Sequence, residues 1–434
     1  MLLAFFSVAP APARAVPAFA AQTGQPCSAC HIGGFGPALT PYGRDFKLKG
    51  YTARAVKWNV PLSIMVISSY VHTKAAQSGG AAPGYGENDN FSLDQVGLFL
   101  AGGVGQHLGG LVQGTYDGVG KAWSWDNADL RAVVQTTVGG ADVVFGTSLN
   151  NNPTVQDVWN TLPAWGYPYT GTALAPHPAA APLLSGGFAQ RVIGLSGYAW
   201  INSRVYLEGG AYGSLHRRAL NDLGIDPTSP GNIEDLAPYG RIAFEHPFGS
   251  ATVQVGAFGM QAHLHPGLDT TTNTTDRYTD LGLDASYQRV RANSDVVAAN
   301  ARYIHEAQSL YASYLLGNVD HPDNTLEDVR FDIAYYFRNR FGGTFGLFDT
   351  FGSADPLLYA NNLGFKPNSS GATLQIDGTL YPNGGSPLGK RFNLRAGIQF
   401  TAYNKFDGGR TNFDGSGRNA SDNNTTRIFL WLAY

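Results

Sequence analysis

The sequence is poor in charge, in sulfur and in long apolar runs. Lys, Arg, Asp and Glu make up 14% of its 434 residues and nearly cancel, leaving a net charge of −3. That balance offers no basic face for nucleic acid. Beyond the N-terminus there is no run of about 18 apolar residues, which excludes helical membrane spans. The 3.6-residue periodicity of an α-rich soluble protein is missing too. Only two cysteines and three methionines occur, whereas glycine (55 residues) and aromatic side chains (12%) are abundant. Few charges with much glycine and many rings suits exposed strands joined by polar loops. A membrane barrel has this composition because its strands face lipid on one side and water on the other.

Residues 1–15 read as an export signal. Leu2 to Val8 is a short apolar run, and Ala13-Arg14-Ala15 is a small-residue cleavage site, although no Lys or Arg precedes the run. Both cysteines fall just after it, as Cys27-Ser28-Ala29-Cys30 followed directly by His31. This is the C-x-x-C-H pattern of c-type haem attachment: two thiols add to the vinyl groups, and the adjacent imidazole is placed to ligate the iron. A thioredoxin-like dithiol needs a βαβ unit, and none is present. A structural zinc site needs a second ligand pair, and no cysteines remain for one. A plain disulfide leaves His31 unexplained. One haem c is therefore expected on residues 16–57, with Cys27 and Cys30 as attachment points and His31 as the proximal ligand. That segment is too short to bury a haem in a core of its own, so it is expected to act as a plug in the remainder of the chain.

Residues 58–434 alternate with period two in about sixteen segments. These begin near residues 59, 91, 108, 124, 141, 190, 204, 237, 250, 279, 295, 327, 342, 370, 392 and 426. In 328–338, Val329, Phe331, Ile333, Tyr335 and Phe337 alternate with Asp328, Arg330, Asp332, Ala334, Tyr336 and Arg338. Tight connections such as Gly139-Gly140, Asn202-Ser203 and Asn293-Ser294 alternate mostly with long ones, such as Thr73 to Asn90 and Asn150 to Gln190. Short turns on one side and long loops on the other is the construction of an outer-membrane barrel; a soluble sandwich has no reason for it. The expected fold is all-β, an antiparallel transmembrane barrel of about 16 strands embedded in outer-membrane lipid. An even strand count puts both termini in the periplasm. The last strand supports it, with Thr426, Ile428, Leu430, Leu432 and Tyr434 in one row. The long loop from Asn150 to Gln190, with a capped turn near Asn152 to Trp159, either enters the lumen or lies on the surface.

The haem-flanking stretch carries a family resemblance. Pro17-Ala18-Phe19-Ala20-Ala21-Gln22-Thr23-Gly24 leads into the cysteine motif, and Phe35-Gly36-Pro37-Ala38-Leu39-Thr40-Pro41-Tyr42-Gly43-Arg44-Asp45-Phe46 follows, running on to Tyr51. This resembles the fused monohaem cytochrome–porins of the bacterial outer membrane, which include iron oxidases of iron-oxidising bacteria. Ala21 departs from the basic residue expected before Gln22-Thr23-Gly24. The resemblance implies an oxidoreductase that takes electrons from an extracellular donor, Fe(II) by kinship, and passes them to a periplasmic c-type cytochrome. The residues themselves indicate only a haem inside a membrane conduit. The alternative is a diffusion porin in which the haem is absent or structural.

Candidates for the distal iron ligand are few. Ser63, Met65 and Ile67 are expected to point inward from the first strand, so Met65 is a thioether near the haem segment. Met/His ligation raises a haem potential, yet methionine is equally a filler of gaps. Met260 and His72 are weaker candidates. Asp129, Arg131, Asp284, Arg302, Arg330, Asp332, Arg338 and Arg395 are expected in the lumen, either clamping the plug or simply hydrated. Asp320, His321 and Asp323 share an outer loop and could contact Fe(II); a solvated acidic loop is the plainer reading.

Overall fold

Alternation along the chain becomes alternation across a wall. In the strand Asp323–Phe337, Val329, Phe331, Ile333 and Tyr335 lie outside, while Asp328, Asp332, Ala334 and Tyr336 are buried within. The computed structural model describes residues 16–57, 60–389 and 391–434. The expected export signal lies outside these residues.

Seventeen strands are present: β1 (Leu62–Thr73), β2 (Asn90–Val104), β3 (Leu108–Asp117), β4 (Ala122–Val138), β5 (Ala141–Asn150), β6 (Val192–Ile201), β7 (Val205–Ser214), β8 (Asn232–Ile233), β9 (Ala237–Phe248), β10 (Ala251–His265), β11 (Asp276–Val290), β12 (Val296–Ser309), β13 (Asp323–Phe337), β14 (Phe341–Gly352), β15 (Ser369–Thr379), β16 (Asn393–Lys405) and β17 (Thr425–Ala433). β8 is a two-residue addition at the mouth. The other sixteen form the wall, each antiparallel to its neighbours, and β1 pairs with both β2 and β17 to close it. Closure leaves no unpaired edge, as a span through hydrocarbon requires. The chain is an outer-membrane barrel.

Connections at one end are tight: 105–107, 139–140, 202–204, 249–250, 291–295 and 338–340. Both termini emerge there, which makes it the periplasmic end. One turn at this end, 380–392, is long. The opposite end carries the long loops, although 118–121 is short.

The lumen is filled rather than open. From the periplasmic end, three short helices enter: α1 (Pro17–Thr23), α2 (Cys27–Cys30) and α3 (Pro41–Leu48). The segment after β5 folds inward to meet them, and Asn151, Thr154, Val155, Gln156, Val158 and Leu162 are all buried. Among the described residues the two remaining helices, α4 (Arg217–Asp222) and α5 (Tyr311–Leu315), sit in long loops.

Ion pairs hold the filling in place. Arg241 on β9 binds Asp157 of the inserted loop at 2.9 Å and Asp284 on β11 at 2.8 Å. Arg131 and Asp129 on β4 pair at 2.9 Å. From that pair Arg131 donates to the Lys47 carbonyl of the plug (3.2 Å) and the Gln156 carbonyl of the loop (2.9 Å), and Asp129 accepts from the Tyr51 hydroxyl (2.7 Å). At Gly109 on β3 the wall meets the Gly50 carbonyl of the plug so closely that an added Cβ would overlap it. Of the expected lumen charges, Arg338 is misplaced. It sits exposed in the β13–β14 turn with φ 49°, over the ring of Phe337, because the strand ends one residue earlier.

Candidate functional site

The plug is built around the cysteine motif. α1 begins with Pro17, whose fixed φ suits a first helical position, and stops at Gly24, a left-handed residue (φ 67°) whose N–H donates to the Ala20 carbonyl. α2 is a single turn. Its i,i+3 spacing places Cys27 and Cys30 on one face, and the turn closes with His31 N–H donating to the Cys27 carbonyl at 2.9 Å. α3 is capped by Thr40, whose hydroxyl accepts from Gly43 N–H at 3.2 Å, and it also starts with a proline. Gly43 lies directly on the Cys30 carbonyl, where a Cβ would collide with it.

Two periplasmic turns grip this unit. Asn339 donates to the carbonyls of Ser28 (3.1 Å) and His31 (2.8 Å) and accepts from Gly33 N–H (2.6 Å). From the long 380–392 turn, the Pro382 carbonyl accepts from Ser28 N–H at 3.0 Å and Asn383 accepts from the Ser28 hydroxyl at 2.6 Å. The length of that turn is explained by this contact. Arg395, paired with Asp377 at 2.7 Å, reaches the Phe35 carbonyl.

Beside the motif is a small recess whose walls include Cys30, His31, Phe19, Phe46, Tyr51 and Leu111. The Phe19 ring stacks on Tyr51 at 5.1 Å and meets Phe46 edge-on at 5.1 Å. Lys47, Asp157, Asn160 and Trp165 also border it. The Lys47 ammonium donates to the carbonyls of Val155 (2.7 Å) and Asp157 (2.8 Å), so plug and inserted loop share this wall.

Burial sets the protonation of the motif. It pushes the His31 imidazole down to about 4, opposed by the nearby Ala38 carbonyl and aided by Arg395. Nδ1 of His31 is buried without a hydrogen bond of ordinary geometry. A neutral ring is the form that binds metal. Burial, with Cys27 beside it, pushes the Cys30 thiol up to about 12; burial also raises Cys27, against the pull of Asn393. A dithiol built for exchange has a lowered pKa. Two protonated thiols on one helix face, a neutral imidazole and a ring-lined recess beside them are the chemistry that a c-type haem uses.

The other expected ligands fare differently. Met65 does face inward and is buried in one apolar cluster with Val16, Phe46, Tyr51 and Trp431. It packs with the plug but is not among the residues bordering the cavity. Met260 belongs to a separate cluster with Leu162 and Tyr239. His72 turns outward, because β1 places Val71 and Thr73 inside, and its Nδ1 lies 2.7 Å from Asp89.

Of Asp320, His321 and Asp323, the first two come together, with His321 Nε2 3.5 Å from Asp320 Oδ2, and Asp323 does not join them. Among the described residues no three His, Cys, Asp or Glu side chains gather at a common point. Asp355 holds the backbone N–H groups of Asp320 and His321 at 2.9–3.0 Å, and Asp323 is turned to Ser309 across the strand pair. Asn339, Lys47 and Trp165 were invisible to strand periodicity. Each acts from a turn or from the filling of the lumen.

No family model and no curated protein sequence matches the chain. Among solved structures it is similar to the outer membrane channel DcaP of Acinetobacter baumannii, with 13% identity and a TM-score of 0.47, covering 86% of this chain and 96% of that one. It is similar to an anion-selective porin from Comamonas acidovorans, with 12% identity and a TM-score of 0.46, over 86% and 98% of the two chains. OmpF of Salmonella typhi, in complex with daunomycin, gives 11% identity and a TM-score of 0.42, over 86% and 97%. These are likenesses of outline, and nothing about function is taken from them.

Proposed function

We propose that the chain is an outer-membrane electron-transfer protein carrying one covalently attached haem c in its periplasmic plug. The observation that carries this reading is the meeting of Cys27, Cys30 and His31 on one turn beside an apolar cavity, with the imidazole kept neutral. A haem bound there supplies one-electron chemistry at a potential set by ligand and surroundings. The chain's own residues do the rest. Cys27 and Cys30 present thiols for thioether bonds, and His31 offers a nitrogen with no competing donor. Phe19, Phe46 and Tyr51 exclude water from one wall, and Asn339 with the 380–392 turn fixes the motif at the periplasmic mouth. That position suits a periplasmic c-type cytochrome as electron acceptor. Fe(II) as the outer donor rests on the family resemblance alone.

The second reading is a diffusion porin in which haem is absent or structural. The sixteen-strand wall favours it. The packed lumen, with Arg131 and Asp157 buried between plug and inserted loop, weighs against free passage of solutes.

The deciding experiment is a visible spectrum of detergent-purified protein from cells competent in cytochrome c maturation, before and after anaerobic Fe(II). A covalent haem reduced by Fe(II) is the expected result. A haem reducible only by dithionite keeps the conduit and removes iron as donor. A protein without haem that conducts ions in planar bilayers is a porin, and the proposal is then wrong.

A further inference from the structure

On the outside of the barrel, beside the β2–β3 turn at the periplasmic end, the wall carries a groove. Gly102 pairs with Gly110 and Gly103 with Gly109, so the wall has no side chains at these neighbouring positions. Around them the groove is lined by Leu100, Leu108, Leu130 and Leu149, all exposed on the lipid side. Apolar surface alone distinguishes nothing on a barrel, whose whole outer band faces hydrocarbon. What sets this groove apart is its border, which includes Arg54 and Lys57.

Both cations belong to the segment that leads from the plug to β1, and both are exposed. The Arg54 guanidinium donates to the carbonyls of Gly103 and Lys57, the latter at 3.4 Å. These contacts fix it at the rim and leave further N–H groups free. Neither cation has an acidic partner among the described residues. The nearby Lys49, by contrast, holds Asp45 at 2.9 Å. Aliphatic surface that ends in two uncompensated cations at the membrane boundary matches a molecule with an acyl chain and an anionic headgroup. A water-soluble anion would use the cations and ignore the groove. A second copy of the wall would cover the groove and leave the cations unmet.

We propose that this groove binds one anionic phospholipid of the periplasmic leaflet, its phosphate between Arg54 and Lys57 and an acyl chain along Leu100, Leu108 and Leu130. The bound lipid also braces the plug. Gln22 of α1 accepts from Gly103 N–H at 2.8 Å and donates to the carbonyls of Tyr51 (2.7 Å) and Ala53 (2.8 Å). The strand end that Arg54 grips is therefore the one that holds the plug's exit. The site owes nothing to the cysteine motif and stands whether or not a haem is attached.

The probe is palmitoyl-oleoyl phosphatidylglycerol, with the phosphatidylcholine of the same chains as control. The full chain in detergent is titrated with each, and retained lipid is counted by native mass spectrometry. The wild type is expected to keep one phosphatidylglycerol per chain at concentrations where it keeps no phosphatidylcholine. Arg54→Gln and Lys57→Gln should each weaken retention about fivefold, the effect of one basic residue on an anionic lipid. Ala132 borders the groove, so Ala132→Phe fills it while keeping both cations, and retention should fall severalfold. Heat-modifiability on gels checks that each variant is folded. Equal retention of the two lipids overturns the proposal, as does wild-type retention in Lys57→Gln or in Ala132→Phe. A dimer mass without lipid also overturns it and makes the groove a contact between copies.

Discussion

Arg131 joins three parts of the molecule, and replacing it should open the barrel. Its side chain is fully buried on β4, paired with Asp129, and spans to plug and inserted loop through the Lys47 and Gln156 carbonyls. Its guanidinium also lies 5.6 Å over the Tyr51 ring and 5.4 Å over that of Tyr198. In Arg131→Met both bridging hydrogen bonds from a charged donor vanish, each worth about 1.5–3 kcal/mol. The longer bond, to Lys47, is the plug's share: at the lower end it is about 1.5 kcal/mol, about tenfold in the ratio of released to docked plug, and loss of the bond to Gln156 loosens the inserted loop beside it. Asp129 is left buried with only the Tyr51 and Ser148 hydroxyls, and an orphaned buried charge adds to the loss. Planar-bilayer recording reads this directly: rare openings in wild type, frequent ones in Arg131→Met, and intermediate frequency in Asp129→Asn/Arg131→Met, where the orphaned charge is gone. An opening frequency equal to wild type in Arg131→Met refutes the reasoning. A double variant as open as the single one shows that the stranded carboxylate contributes nothing.

Two further predictions concern the plug and the outer loops. Gly43→Ala puts a methyl group into the Cys30 carbonyl, so covalent haem per chain should fall severalfold by the pyridine haemochrome assay while the wall still folds, read by heat-modifiability. Asp407, in the outer loop before β17, has its carboxyl raised to about 6 by burial, against the pull of the Ala179 N–H and His177. A raised acid favours the folded loop fully below its unfolded value near 3.9, and that advantage is lost as pH rises through about 6. The protection factor at Ala179, which is the exchange rate corrected for its intrinsic rise with pH, should therefore fall between about pH 4 and 6 in wild type, and Asp407→Asn should flatten the change.

The wall was legible because burial on two faces writes itself into a strand with period two. Val329 to Phe337 alternate with Asp328 to Tyr336, and one lipid face and one packed face follow directly. The C-x-x-C-H pattern was legible because its residues are neighbours in the sequence and share one turn. What fills the lumen was not. Asn339 and the 380–392 turn act through backbone carbonyls and amides, which any turn sequence possesses, so nothing in their composition announces the plug. Met65 shows the limit clearly: its inward direction followed from parity, but its distance from the cavity depends on how α1 and α3 pack, which parity does not encode. Asp320, His321 and Asp323 were close in sequence, yet only Asp320 and His321 meet, because strand register turns Asp323 to Ser309.

The plug is sewn to the last part of the chain to be made. Ser28, Gly33 and Phe35 are held by Asn339, Pro382 and Arg395, more than 300 residues downstream. The N-terminal segment therefore cannot complete its docking until β13 to β16 are in place, although β1, β3 and β4 already offer it contacts. Until then the segment that carries Cys27 and Cys30 is held less firmly, and in the closed barrel both cysteines are half-buried. If the cysteines are modified as proposed, that step has to precede insertion of the wall.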